Sequence, residues 1–267
     1  MNVADITTQD VFEVLNPIWL ELTPTAKNLR SRIELVIDWA IAKKYRPDGD
    51  NPASWRRLKF LLPAPEKVAK VEHHAALHYS NVAAFMSELA ASDAIAAPAL
   101  QFTVLTAVRT SETRLAKWRE VDLAAREWTI PEERMKAGEE HTVPLSDAAF
   151  AILMAIQGDQ DVEPDDYIFC GPQGRPISDT SMIRLAKKLR PNIKITTHGF
   201  RSTFRDWCGD EMEFAREVAE AALAHAVGNA VEQTYRRGTA LAKRRTLMEA
   251  WAPHCIGGVV VPFQKRA

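Results

Sequence analysis

Residues 127–145 read EWTIPEERMKAGEEHTVPL, and they break the pattern of the chain around them. Elsewhere apolar residues recur at helical spacing. Here two short β-prone runs, Glu127-Trp128-Thr129-Ile130-Pro131 and His141-Thr142-Val143-Pro144-Leu145, each contain or end at a proline. Proline cannot donate to a strand ladder, so such runs suit a small sheet rather than a large one. Lys136 to Glu140 fall in or near the connection, which puts Lys136 on a hairpin. The segment therefore predicts a fold that is mainly α with a small antiparallel β-sheet.

Helices are expected on both sides. Downstream they span Asp147–Ile156, Asp179–Leu189, Gly199–Cys208, Glu213–His225, Ala230–Arg236 and Ala240–Trp251. Upstream, Ser80 caps a helix carrying Val82, Phe85, Met86 and Leu89. Ala96–Val108 follows with Pro98 in its first turn, then a short Ser111–Trp118. Further back, Thr7 or Thr8 caps a first helix. Thr23 caps a longer one with Pro24 at its first position, where a missing N–H costs nothing. Leu29, Ile33, Val36, Ile37, Ala40 and Ile41 give that helix one apolar stripe. Asn51-Pro52 starts a third, with Trp55, Leu58 and Phe60 after it. Leu62-Pro63-Ala64-Pro65-Glu66-Lys67 has the prolines and mixed charge of a linker. The expected organisation is a helical domain over 1–65, a linker over 66–77 and a second domain over 78–267. The end, from Ile256 to Phe263, is apolar and β-prone around a glycine pair. It predicts either a strand added to a sheet edge, its own or a neighbour's, or a disordered or locally packed tail.

Composition narrows the class. The chain has 267 residues, 46% hydrophobic and 26% charged, which is ordinary for a globular protein. No apolar run is as long as a membrane span, and no signal segment follows Met1, so a cytoplasmic location is expected. Cys170, Cys208 and Cys255 are sparse and odd in number, which argues against a disulfide framework. His73, His74 and His78 lack a Cys or acidic cluster at ligand spacing, so they read as linker histidines, and neither metal nor cofactor is expected. The formal net charge is −1. It is unevenly spread: Arg184, Lys187, Lys188, Arg190, Lys194, Arg201 and Arg205 form a run without acids. Asp159, Asp161, Glu163, Asp165 and Asp166 cluster elsewhere. Segregation of this kind permits a basic nucleic-acid face on a neutral protein, and equally fits solvated helix faces.

The chemistry lies in Arg109, Lys136, His198, Arg201, His225 and Tyr235. Taken singly, each has an ordinary reading. Arg109 can bond helix-end carbonyls, Lys136 can be a solvated turn lysine, and His225 can answer a helix C-terminal dipole. His198 and Arg201, three apart, can hold a helix start, and Tyr235 can be filler. Taken together, they make a phosphodiester site. Guanidinium forks suit phosphate oxygens and a phenol can form a covalent ester. Tyr235 follows a turn at Val227-Gly228-Asn229 that lets a short helix present its phenol to a cleft.

The order and setting of these residues resemble the tyrosine recombinase family. Trp118-Arg119-Glu120-Val121-Asp122-Leu123, Trp128-Thr129-Ile130-Pro131, Val143-Pro144-Leu145, Arg244-Arg245-Thr246-Leu247-Met248, Leu15-Asn16-Pro17-Ile18-Trp19 and Asn51-Pro52-Ala53 are similar to its prophage and satellite-phage integrases. The resemblance implies a helical core-binding domain followed by a catalytic domain, clamping double-stranded DNA at attachment sites. It implies that Tyr235 attacks a phosphodiester to give a 3′-phosphotyrosyl link. Arg109, Arg201 and His225 would hold the phosphate, His198 would assist proton movement, and Lys136 would protonate the leaving oxygen. A homo-oligomer on DNA, in a tetrameric synapse, and DNA-bending accessory proteins are the implied partners, with no membrane and no cofactor. Integrases of this branch usually carry a further N-terminal arm-binding domain, whereas these residues open on the core-binding part. Intact chemistry with reduced integration competence is the matching expectation. The competing expectations are a degenerate fragment that only binds DNA and a type IB topoisomerase-like relaxing enzyme.

Overall fold

The computed structural model describes residues 1–68, 75–225 and 240–257. Contacts divide the chain into two compact units, Met1–His73 and His74–Ala267.

In the first unit, α1 (Thr8–Trp19) starts at a capping box in which Thr7 and Asp10 satisfy each other's backbone N–H groups. Helix α2 (Thr23–Ala42) has Leu22, not Thr23, at its cap position. The Thr23 hydroxyl instead donates to the Trp19 carbonyl and ties α2 to the end of α1. Ile37 and Ala40 of the expected stripe are buried, but Val36 is 60% exposed. Asn51-Pro52 does not begin a helix. Asn51 Oδ1 accepts from the Ala53 N–H while its amide donates to Glu34 and Asp38, making a turn that delays α3 to Trp55–Leu58. Trp19 stacks on Trp55 and donates to the Pro63 carbonyl, closing a core of Val11, Leu15, Ala26, Ile37, Leu58 and Leu62. The expected linker opens with a short helix, α4 (Pro65–Val68), whose Val68 packs on that core.

The second unit is built around α6 (Ala96–Thr106), which is apolar on nearly every face and almost wholly buried. Around it pack α5 (Val82–Ala90), α8 (Asp147–Gln157), α9 (Ser181–Leu189) and the last described helix, α12 (Leu241–Ile256). Ser80 does not cap α5. It lies inside a single 3-10 turn, Tyr79–Asn81, whose cap is the His78 ring, accepting from the Ser80 N–H. Short α7 (Thr110–Arg114) leads into the sheet.

The two expected strands form as β2 (Glu127–Ile130) and β3 (His141–Pro144), antiparallel, with Trp128 opposite Val143 and Thr129 opposite Thr142. A third strand unforeseen in the sequence, β1 (Val121–Asp122), pairs with β2. Two residues are too few to show alternation. The fold is thus mainly helical with a three-stranded antiparallel sheet.

Helices α10 (Gly199–Asp210) and α11 (Arg216–Ala222) are the remaining described helices of the unit. Helix α12 outruns its expected end at Trp251 because Trp251 donates to the Val104 carbonyl and packs with Phe204 and Trp207, and Cys255 is buried beyond it. It stops at Gly257, whose φ of 66° suits glycine. The expected Ala230–Arg236 helix and tail strand lie outside the described residues. Among the described residues, no helix is long and apolar enough to cross a membrane, and no cluster of three potential metal ligands occurs. His73 and His74 lie outside them.

Candidate active site

Arg201 organises the site. It sits in the first turn of α10 and is 4% exposed. One end of its guanidinium donates to the Ala107 carbonyl at 2.7 Å, just past the end of α6. The other donates to the Leu223 carbonyl at the end of α11 and lies 3.1 Å from His225 Nε2. Helix C-termini carry unsatisfied carbonyls and partial negative charge, so one buried cation satisfies two helix ends at once. Burial first, then the neighbouring Arg109 charge, pull the Arg201 pKa down to about 10, while Glu112 and Glu220 act to raise it. Among the described residues, its buried Nε has no hydrogen-bond partner.

Both stapled helix ends turn through left-handed residues. Ala107 has φ 52° and Ala224 has φ 49°, a region costly for any residue with a Cβ. The turn at Ala107 ends α6 and leads to Arg109, at the cap of α7. There Glu112 accepts both the Arg109 backbone N–H and its guanidinium, at 2.7 and 2.8 Å. Glu112 is 2% exposed, and its carboxylate directs the half-buried Arg109. The turn at Ala224 places His225 beside Arg201.

His198 stands exposed at the cap of α10. The H-x-x-R spacing therefore does not bury the two side chains alike. Gly199 is required here: a Cβ would meet the Ala75 carbonyl at 2.3 Å. That close approach belongs to a strap in which Thr196 and Thr203 donate to the Ala75 and Leu77 carbonyls. Thr197, next to His198, accepts from the Thr110 hydroxyl next to Arg109.

Lys136 lies exposed in the β2–β3 connection and, among the described residues, makes no hydrogen bond or ion pair. The base of that connection is anchored. Arg134 donates to the Glu112 carbonyl at 3.1 Å and pairs with Glu120. Tyr235 lies outside the described residues. The structure therefore gathers Arg109, Arg201 and His225, places His198 at the edge, and puts Lys136 two residues from an anchored arginine.

Several contributors escape the sequence reading. Glu112 was legible in principle as the acid three places after a helix cap. Glu220, five residues before His225, follows no helical or strand period. His141 on β3 is held near pKa 4 by burial and then by the Arg244 charge, with a bond to the Ala222 backbone acting the other way. Arg244, 2% exposed on α12, donates to the Thr142 carbonyl.

An arrangement of two guanidiniums and an imidazole, each oriented by backbone or carboxylate, suits an anion with several oxygens. Comparisons with known proteins bear on the family of the chain. The phage integrase family matches residues 75–241, and the phage integrase central domain matches residues 1–58. Prophage integrase IntA of Escherichia coli K12 is 35% identical over 153 residues, covering 56% of this chain and 36% of that protein. The integrase of Enterobacteria phage P4 is 28% identical over 250 residues, covering 86% of this chain and 54% of that protein. The chain thus spans about half or less of these relatives' lengths. In fold, a lambda integrase tetramer bound to a Holliday junction superposes with a TM-score of 0.61 at 19% identity, over 85% of this chain and 66% of that one. With the family match spanning most of the second unit and its companion domain most of the first, the chain belongs to the phage integrase family.

Proposed function

We propose that this chain is a site-specific tyrosine recombinase that cuts and rejoins double-stranded DNA at attachment sites to integrate or excise a mobile element. The observation that carries the reading is that Arg109 and His225, each at a different helix end, lie beside the buried guanidinium of Arg201.

In this reading Tyr235 attacks the scissile phosphorus. Its phenolic proton leaves with assistance from His198, a P–O bond forms to the phenol, and the bond to the 5′ oxygen breaks. Lys136, carried by the connection that Arg134 anchors, gives that oxygen a proton. Arg109 and Arg201 offset charge on the non-bridging oxygens, and His225 donates to one of them. Preorganised donors of this kind are worth about 10²–10³ in rate each. The 3′-phosphotyrosyl ester keeps the bond energy for rejoining. Residues 1–65 act as the DNA-clamping domain, residues 66–77 as the linker and 78–267 as the catalytic domain. The working form is a homo-oligomer on DNA, a tetramer at synapsis, as the lambda integrase tetramer on a Holliday junction suggests by similarity. DNA-bending accessory proteins assist.

A nicked suicide duplex carrying the attachment site tests this. Wild type should give a covalent protein–DNA adduct and Tyr235→Phe none, with DNA binding retained in both. Equal adduct from both, or none from wild type on DNA it binds, rejects the proposal.

A further inference from the structure

Helix α11 ends in a Schellman turn. The Ala224 N–H bonds the Ala221 carbonyl, and the His225 N–H bonds the Glu220 carbonyl at 2.9 Å. With Ala224 left-handed, such a turn folds the following side chain back over the one near the helix end, and that contact is usually hydrophobic. Here it is a charge pair. His225 Nδ1 lies 2.7 Å from Glu220 Oε2. The other carboxylate oxygen accepts from Arg205 Nε at 2.7 Å, one turn beyond Arg201 on α10, and Arg216 stands 3.7 Å away. Burial works against charge on Glu220. The hydrogen bonds and charges of His225 and Arg205 outweigh it and hold the carboxyl below its ordinary value.

These contacts assign the ring's protons. An ionised carboxylate only accepts, so the hydrogen shared with Glu220 belongs to Nδ1. A guanidinium only donates, so Nε2, facing Arg201, accepts. We propose that Glu220 is a positioning residue for His225: it keeps the proton on Nδ1 and turns Nε2 toward Arg201 and the scissile phosphate. The role in cleavage rests on the recombinase reading above; the ring's protonation pattern does not. To donate to a phosphate oxygen, Nε2 takes up one proton from solvent. The new N–H bond makes an imidazolium whose charge the Glu220 carboxylate and the phosphate offset, while Arg201 and Arg205 oppose it. Partners that fix the tautomer and orientation of metal-bound histidines are typically worth about ten- to a hundredfold when removed, and the same scale is taken for His225.

Two measurements test this on the full chain. Long-range ¹H–¹⁵N spectra of ¹⁵N-histidine protein identify the His225 ring as the signal missing from His225→Ala. Wild type should show a ring protonated at Nδ1, and Glu220→Leu should move it toward Nε2 protonation. A wild-type ring protonated only at Nε2 overturns the proposal. In the suicide-duplex assay, Glu220→Leu should slow adduct formation about ten- to a hundredfold. In a His225→Ala background the same change should add nothing. Equal slowing in both backgrounds means a merely structural role and overturns it. Glu220→Gln serves the same comparison if the leucine variant does not fold, with Nδ1 still donating to a neutral oxygen and a smaller loss in rate. If wild type forms no adduct at all, the recombinase reading fails, while the ring spectrum still decides whether Glu220 sets the proton on His225.

Discussion

Arg201 shows how one side chain can hold two helix ends and still stand in a proposed catalytic site. Its fork satisfies the Ala107 and Leu223 carbonyls, which close two different helices. Arg201→Ala would leave both carbonyls without their donor in a site water does not reach freely. Each orphaned buried group costs about 1–3 kcal/mol, so we expect a loss on the order of 3 kcal/mol, read as a lower urea midpoint, and, on the proposed recombinase reading, loss of the covalent adduct. Arg201→Lys keeps the charge but not the fork. It should recover less than half of the stability, because an ammonium on a flexible stem does not span two carbonyls in one plane. Full recovery would show that charge alone suffices. The sequence flagged Arg201 through its spacing from His198, yet it could not show that one is buried and the other exposed.

At the scale of elements, the ends of the helices matter more than their faces. Arg109 follows the left-handed turn that closes α6, and His225 follows the one that closes α11. Both turns use alanine where glycine would be unstrained. A pattern search for glycine would therefore miss them, and the expected end of α11 at His225 ran past its true stop at Ala222 for that reason. Gly199 is the opposite case: φ is helical and the need is space, since the Ala75 carbonyl occupies the place of a Cβ. Gly199→Ala gains about 1 kcal/mol of helix propensity but must displace that strap. Overpacking costs about 1–3 kcal/mol, so the net result should be a lower thermal midpoint, and an unchanged or higher one would show that the strap yields freely. Strand β1 and the cap at His78 also escaped sequence reading, since two residues show no period and a histidine ring is a rare cap.

Across the second unit, buried ionisable groups link stability to pH. His141 titrates near 4 when folded, against 6.5 in an open chain, because burial and the Arg244 charge disfavour its cation. The folded form thus binds fewer protons than the unfolded one between these values. Stability from this group is complete above about pH 6.5 and declines as pH falls toward 4, with no further loss below. Urea midpoints at pH 7 and pH 4.5 should therefore converge in His141→Gln, which keeps a donor for the Ala222 backbone but does not titrate. An equal pH dependence in both proteins would assign the acid sensitivity elsewhere. The sequence by itself determined the mainly helical class, two strands within 127–131 and 141–145, and the residue types able to handle a phosphodiester, because these follow from local period and side-chain chemistry. Only the tertiary structure decided that Arg201 joins the ends of α6 and α11, and that the turn after α11 sets Glu220 against His225. Those pairings depend on backbone turns and on contacts between segments up to 94 residues apart, which no local pattern encodes.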